Sequence, residues 1–474
     1  MDVLLTHGYF LYEDPHELAV MKPYPPLGLL YVSSHLKARG IDTALFDTTF
    51  ARFDELEAHL REVRPPVVGV YSNLMTRTKV LQVMDVAKQA GSLVVVGGPD
   101  PVNYLDEYLS RGADMVVFGE GELTLEQLVP HLIERGAHDL AGIQGIAFRN
   151  DQGEIVRTEP RPMIADLDAQ PFPDRAAINQ HAYIDVWREH HGRGSVSLIT
   201  ARGCPYTCTW CSHSVFGYSH RRRSPKNVVD EVEQIVATYT PDLLWYADDV
   251  FTINHKWLFD YSAELLRRGF HLPFETISRE DRLNEEVIET LARMGCYRLW
   301  IGAESGSQKI LDAMKRRTNA ERVRGMVHLL QKHGIEVGMF IMLGYDGEER
   351  EDLEATVEHL KLAGPNTFLT TVAYPIKGTP YYASVADRVI ARRAWEQGSD
   401  RDYTVAGRHS PRYYHFATRW MVNEVALHRQ RHSPSRSYPR LARSFVNARI
   451  GRLGMLLTER EVEKTPSPSG RGLG

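Results

Sequence analysis

Cysteine is scarce in this chain, with four in 474 residues. So few thiols exclude a secreted disulfide scaffold and point to a reducing cytoplasm. No run of about 18 apolar residues occurs, so no transmembrane helix is expected. The opening MDVLLTHGYF has no basic n-region and reads as a strand, so it is not expected to be a signal peptide. Overall positive charge is lacking too. The formal net charge is −5, which leaves no electrostatic footprint for nucleic acid. What is present is the composition of a soluble globular protein, 43% hydrophobic and 25% charged, too long for a single core.

Short apolar strands alternate with helical stretches over the first 135 residues, the strands falling at Asp2–Thr6, Asp42–Phe46, Val67–Tyr71, Leu93–Val96 and Met115–Phe118. Continuous apolar strands with helical crossovers predict a doubly wound parallel sheet, Rossmann-like, over residues 1–140. A hairpin turning at Asp151–Gly153 and a Pro-rich connector containing QPFPDR fill 141–194. A second β/α series runs over 195–385, its six strands starting near Val196, Leu243, Phe274, Arg298, Glu336 and Thr367. Six such units predict a partial version of the eight-stranded (β/α) barrel. Residues 386–474 form a basic, mostly helical extension. From Asp387 it holds 17 Lys/Arg against 8 Asp/Glu. Such a face is either solvated or a surface for an anionic substrate, partner or membrane. Its last residues, KTPSPSGRGLG, are expected to be disordered.

Three of the four cysteines, Cys204, Cys208 and Cys211, crowd into CPYTCTWC. This C-x3-C-x2-C loop follows the first strand of the second series, at the end where barrels place their chemistry. A structural zinc site would need a fourth ligand, which His213 or His220 can supply. Three thiolates also suit three irons of a [4Fe–4S] cluster, with the fourth iron left open to a small ligand. Cys296, in ARMGCYRLW, reads as a buried small hydrophobe.

CPYTCTWC resembles the signature of the radical S-adenosylmethionine (SAM) superfamily, with Trp210 in its aromatic place. In that family the open iron chelates SAM, and an electron cleaves it to a 5′-deoxyadenosyl radical. Later strand ends extend the resemblance and imply SAM contacts at Asp249 in WYADDVF, Arg279 in SRED, Glu304 and Ser305 in IGAESGS, and Gly344 in FIMLGYDGE. The two acids Asp248 and Asp249 are expected to aim at the barrel mouth, with a helix N-cap as the plainer reading. Arg279 either faces the SAM carboxylate or closes a surface salt bridge.

The first domain is similar to the cobalamin-binding class of that superfamily, through KPYPPLGLLYVSSHLKARGI, VVVGGPDP and VVFGEGELTLEQL. A flat corrinoid can lie across the carboxyl ends of parallel strands, where Gly97, Gly98 and Gly119 open the surface and Ser72 and Asn73 can hydrogen-bond its amides. The motif D-x-H-x-x-G, which supplies a lower cobalt ligand elsewhere, is missing. His7 and His16 do not form it.

The resemblance implies a cytoplasmic, cobalamin-dependent radical SAM enzyme acting on an unactivated carbon of a small molecule, lipid or natural product, most simply by methyl transfer. It also implies a reductase such as flavodoxin or ferredoxin as electron donor, and it allows peripheral membrane contact through the basic segment. Anaerobic magnesium-protoporphyrin monomethyl ester cyclases share the layout, so cyclisation stands as an alternative. A non-catalytic metal-binding interaction protein is the alternative from another class. Methylthio transfer is disfavoured, because Cys204 is the first cysteine of the chain and no second cluster can form upstream.

Overall fold

The computed structural model describes residues 1–433 and 437–464. The tail expected to be disordered lies, beyond Lys464, outside the described residues.

The first sheet has seven strands: β1 (Val3–His7), β2 (Thr43–Phe46), β3 (Val67–Tyr71), β4 (Leu93–Gly97), β5 (Met115–Val117), β6 (Ile146–Arg149) and β7 (Ile155–Arg157). They lie in the order β2-β1-β3-β4-β5-β6-β7. The first five are parallel, and the β6–β7 hairpin continues the sheet antiparallel from β5. Residues such as Val68, Val70, Val94 and Val96 are buried because helices cover both faces.

The second sheet is built from β8 (Ser195–Leu198) and, after the separate short pair β9 (Ala201–Arg202) and β10 (Arg221–Arg222), from β11 (Leu243–Tyr246), β12 (Phe274–Ser278), β13 (Cys296–Glu304), β14 (Glu336–Leu343) and β15 (Thr367–Val372). Its order is β15-β14-β13-β12-β11-β8, all parallel, with each strand beside its neighbour in sequence. This is the open six-unit barrel. The helix Pro225–Tyr239 shows how local sequence sets an element. Ser224 caps it by accepting the Asn227 N–H, Pro225 opens it, and Val228, Val232 and Ile235 recur on one face and bury against the sheet.

The connector is pinned to the first domain. Tyr183 donates to Asp47 Oδ2 at 2.9 Å, Trp187 Nε1 donates to the Pro23 carbonyl at 2.8 Å, and Ser33 donates to Asp174 at 2.7 Å. The C-terminal part is mostly helical. A small antiparallel pair, β16 (Val389–Ala391) and β17 (Tyr403–Val405), precedes the helices Pro411–His432 and Tyr438–Thr458, which pack on each other and against the barrel. The Tyr438–Thr458 helix leaves Val446, Ile450, Leu453 and Leu457 exposed at helical spacing. Among the described residues, no helix is long and apolar enough to cross a membrane.

Candidate functional site

The carboxyl ends of the two sheets open into one shared cavity of about 860 Å³. Its wall takes Gly97, Gly98 and Gly119 from the first sheet. From the second it takes Cys204, Cys208, Trp210, Cys211, Asp249, Arg279 and Glu304. A cavity of this size suits small-molecule and cofactor binding, which uses roughly 300–1,000 Å³.

The cysteine loop is closed at its base by the β9–β10 pair, in which Arg202 faces Arg221 and Ala201 faces Arg222. The first domain grips that base. Arg202 Nη1 and Arg221 Nη1 each donate to the Glu120 carboxylate at 2.7 Å, and Arg202 Nη2 donates to Glu122 at 2.6 Å. The Ile164 N–H adds a third donor to Glu120 at 2.7 Å. Asp248 steadies the strand that enters the loop by accepting the Thr200 N–H at 2.7 Å and Arg222 Nη2 at 3.1 Å.

Two buried guanidiniums cover one thiol. Arg279 Nη1 lies 3.7 Å from Cys208 Sγ, and Arg316 Nη1 lies 3.9 Å from it. Arg316 is anchored by donating Nη2 to the Gly302 carbonyl at 2.7 Å. The Arg279 guanidinium also sits 3.9 Å from the Tyr206 ring centre. A hydrogen bond from Cys211 and the charge of Arg279 together outweigh burial and bring Cys208 down to about 6. Burial pushes Cys204 up to about 11. The hydrogen bond to Cys208, then burial, raises Cys211. The loop thus holds one preformed thiolate beside two thiols.

Glu304 ends β13 at a bulge with a left-handed φ of +61°, an uncommon and costly conformation for a residue with a side chain. Burial, then the Cys208 thiolate, raises its carboxyl to about 8. Asp249 is raised as well, by burial first and by Asp248 second. Trp210 meets Tyr374 edge-on at 6.4 Å, and its Nε1 is buried with no hydrogen-bond partner.

Several residues named from the sequence stand elsewhere. Ser72 is fully buried and shares a hydrogen bond with the Tyr108 hydroxyl at 2.8 Å, while Asn73 Oδ1 accepts the Met75 and Thr76 N–H groups in a tight turn. Neither lines the cavity, because each is spent on holding its own loop. Ser305 is buried against Thr356 at 3.1 Å, on the side of β13 away from the cavity wall formed by Glu304. Gly344 is needed for packing instead of ligand approach. Its φ is +74°, and a Cβ there would lie 2.8 Å from Tyr414 Cζ. Asp248 is buried under the loop and does not reach the mouth. His7, off the cavity, pairs with Asp47 Oδ1 at 3.0 Å. Cys296 is buried in the barrel core. Arg316, Arg202, Glu120 and Glu122 escaped the sequence reading.

The donor set fits an iron–sulfur cluster better than a single ion. Among the described residues, the group of Cys, His, Asp or Glu whose ligand atoms all lie within 4.8 Å of one another is Glu285, Glu289 and His333, and the three thiols taken together do not form another, although Cys208 and Cys211 are hydrogen-bonded. A tetrahedral zinc would draw its ligands closer than that, at Zn–S bonds of about 2.3 Å. A corrinoid is matched by the first-sheet wall, where Val70, Tyr71, Val95, Val117 and the three glycines present a mostly apolar floor.

The family model of the radical SAM superfamily matches residues 198–360, and that of the B12 binding domain matches residues 19–129. The chain is 28% identical over 397 residues to an uncharacterized methyltransferase, PH0819, of Pyrococcus horikoshii, covering 81% of this chain and 84% of the relative. It is 26% identical over 376 residues to an anaerobic magnesium-protoporphyrin IX monomethyl ester cyclase of Rubrivivax gelatinosus, covering 77% and 67%. Its fold is like that of the radical S-adenosylmethionine methyltransferase TsrM from Kitasatospora setae, with TM-score 0.70, 20% identity, and 83% and 78% of the two chains covered.

Proposed function

Because the chain belongs to the radical SAM superfamily and carries a B12-binding domain, we propose that it is a cobalamin-dependent radical SAM methyltransferase acting on an unactivated carbon. One observation carries this reading. A single cavity is lined by the three cysteines on one side and by Gly97, Gly98 and Gly119 on the other. When bound there, the [4Fe–4S] cluster and SAM supply a hydrogen-abstracting 5′-deoxyadenosyl radical, and the corrinoid supplies a methyl group.

The chain's own residues do the rest. Cys204, Cys208 and Cys211 would hold three irons, and their loop is kept in place by Glu120 and Glu122 through Arg202 and Arg221. Arg279 and Arg316 place positive charge beside the Cys208 Sγ, where it would offset the negative charge of a thiolate-bound cluster. Glu304 and Asp249 offer carboxylates to the cationic and hydroxyl groups of SAM, and Trp210 closes the side of the site toward Tyr374. The glycines of the first sheet let a flat ring approach the strand ends.

A reductase such as flavodoxin or ferredoxin is the electron donor in this reading. The free thiols suit the reducing cytoplasm. Contact with a membrane surface would use the exposed stripe of the Tyr438–Thr458 helix and its arginines.

Anaerobic reconstitution with iron, sulfide and hydroxocobalamin tests the assignment. About four irons and about one cobalt per chain are expected. Iron without cobalt overturns the cobalamin assignment, and a product lacking an added carbon favours the cyclase reading supported by the Rubrivivax relative.

A further inference from the structure

A second cavity, of about 1,060 Å³, lies beside the carboxyl ends of β14 and β15, between the barrel and the two C-terminal helices. Its wall carries six arginines, Arg392, Arg401, Arg408, Arg419, Arg440 and Arg443, and no carboxylate. Three of them are committed. Arg408 donates Nη1 to the Gly344 carbonyl at 3.2 Å, Arg419 donates to Asn447 at 2.6 Å, and Arg392 pairs with Glu463 at 2.6 Å. Arg401, Arg440 and Arg443 form no ion pair with any described residue, and Arg408 Nε and Gln430 Oε1 are buried without partners. Uncompensated guanidiniums on a concave wall concentrate positive potential, and their fork-shaped donors match phosphate oxygens.

This cavity is joined to the first by one residue. Tyr374 lines both, and on the other side its ring meets Trp210 within the cysteine loop. Tyr374 therefore stands between the arginines and the cysteine loop. Six of the 17 Lys/Arg that follow Asp387 line this one cavity.

The geometry points to a substrate that bears a phosphate group, held by Arg401, Arg440 and Arg443, with its reacting carbon extended past Tyr374 into the shared cavity. This rests on the radical SAM reading for the identity of the reacting end, but not for the phosphate site. The phosphate can belong to a soluble metabolite or to a lipid headgroup.

Titration calorimetry of the full chain with inorganic tripolyphosphate at low salt tests the site. Saturable binding is expected. The double variant Arg440→Gln/Arg443→Gln should weaken it by about tenfold or more, since each charge-assisted hydrogen bond is worth roughly a tenfold factor. Both side chains are on exposed residues, so folding is not at stake, and Arg401→Gln is a second, independent probe. Absent binding, or equal affinity in wild type and variants, overturns the proposal. A parallel arm uses phosphatidylglycerol vesicles. Vesicle binding displaced by tripolyphosphate supports the site and assigns the phosphate to a lipid. Tripolyphosphate binding without vesicle binding supports it and assigns a soluble phosphate. Vesicle binding that neither tripolyphosphate nor the variants affect overturns it. Iron and cobalt content of the same preparation reports separately on the cofactor reading.

Discussion

Arg279 Nη1 lies 3.7 Å from the Sγ of Cys208. The contact joins the end of β12 to the middle of the cysteine loop. It places a buried positive charge on the one thiol of the three that is already lowered, to about 6.

In the metal-free chain at neutral pH, Cys208 is therefore a thiolate and Cys204, raised to about 11, is a thiol. Iodoacetamide followed by peptide mass mapping should find Cys208 alkylated first. Arg279→Met should move the midpoint of the rate–pH profile of that reaction up by about one unit.

Cys208→Ala removes one of three proposed iron ligands. Reconstituted iron should fall to near background, and 5′-deoxyadenosine formation from SAM should cease. Wild-type levels of 5′-deoxyadenosine from this variant would sink the cluster assignment.

Glu304 is raised to about 8 by burial and by the Cys208 charge, so it is mostly neutral at pH 7. A cationic ligand favours its ionised form. SAM affinity should therefore rise as pH climbs through about 8. Glu304→Gln should retain iron, weaken SAM binding by about tenfold, and flatten that pH dependence, read by equilibrium dialysis.

Glu120 is pushed up by burial, but Arg221 and Arg202 outweigh it and hold the carboxyl below its ordinary 4.5. A lowered folded value gives stability that is complete above the unfolded value and lost as pH falls through the folded one. Glu120→Gln leaves two buried guanidiniums short of a counter-charge and should cost about 3–5 kcal/mol at neutral pH. The difference from wild type should shrink below about pH 4.5. Urea unfolding across pH checks both.

Gly98 has φ +109°, and a Cβ there would sit 2.3 Å from the Ser72 carbonyl and 3.0 Å from the Tyr71 ring. Gly98→Ala must therefore push Tyr71 or its loop into the cavity floor. Cobalt retention should drop several-fold while iron content holds, measured by elemental analysis.

Both sheets were legible because buried parallel strands are near-continuous apolar runs, and the strand expected at Val67–Tyr71 forms with those bounds. The cysteine loop was legible from spacing alone. Position after a strand, however, does not say which way a side chain points. Glu304 and Ser305 are adjacent, yet one faces the cavity and the other packs on Thr356. Arg316 and Arg202 were missed because a lone arginine in sequence reads as surface, and only tertiary structure brings each to its partner. The acids of FGEGE were passed over for their glycines, although two carboxylates beside buried strands call for cationic partners.

Glu120 and Glu122 belong to the first sheet, and Arg202 and Arg221 to the base of the loop on the second. Moving the halves apart would break all three of these ion pairs together. The joint is a latch and not a hinge. A corrinoid on the first-sheet wall would therefore lie in a cavity whose two walls are tied to each other. Tyr374 stands where this cavity and the arginine-lined one meet.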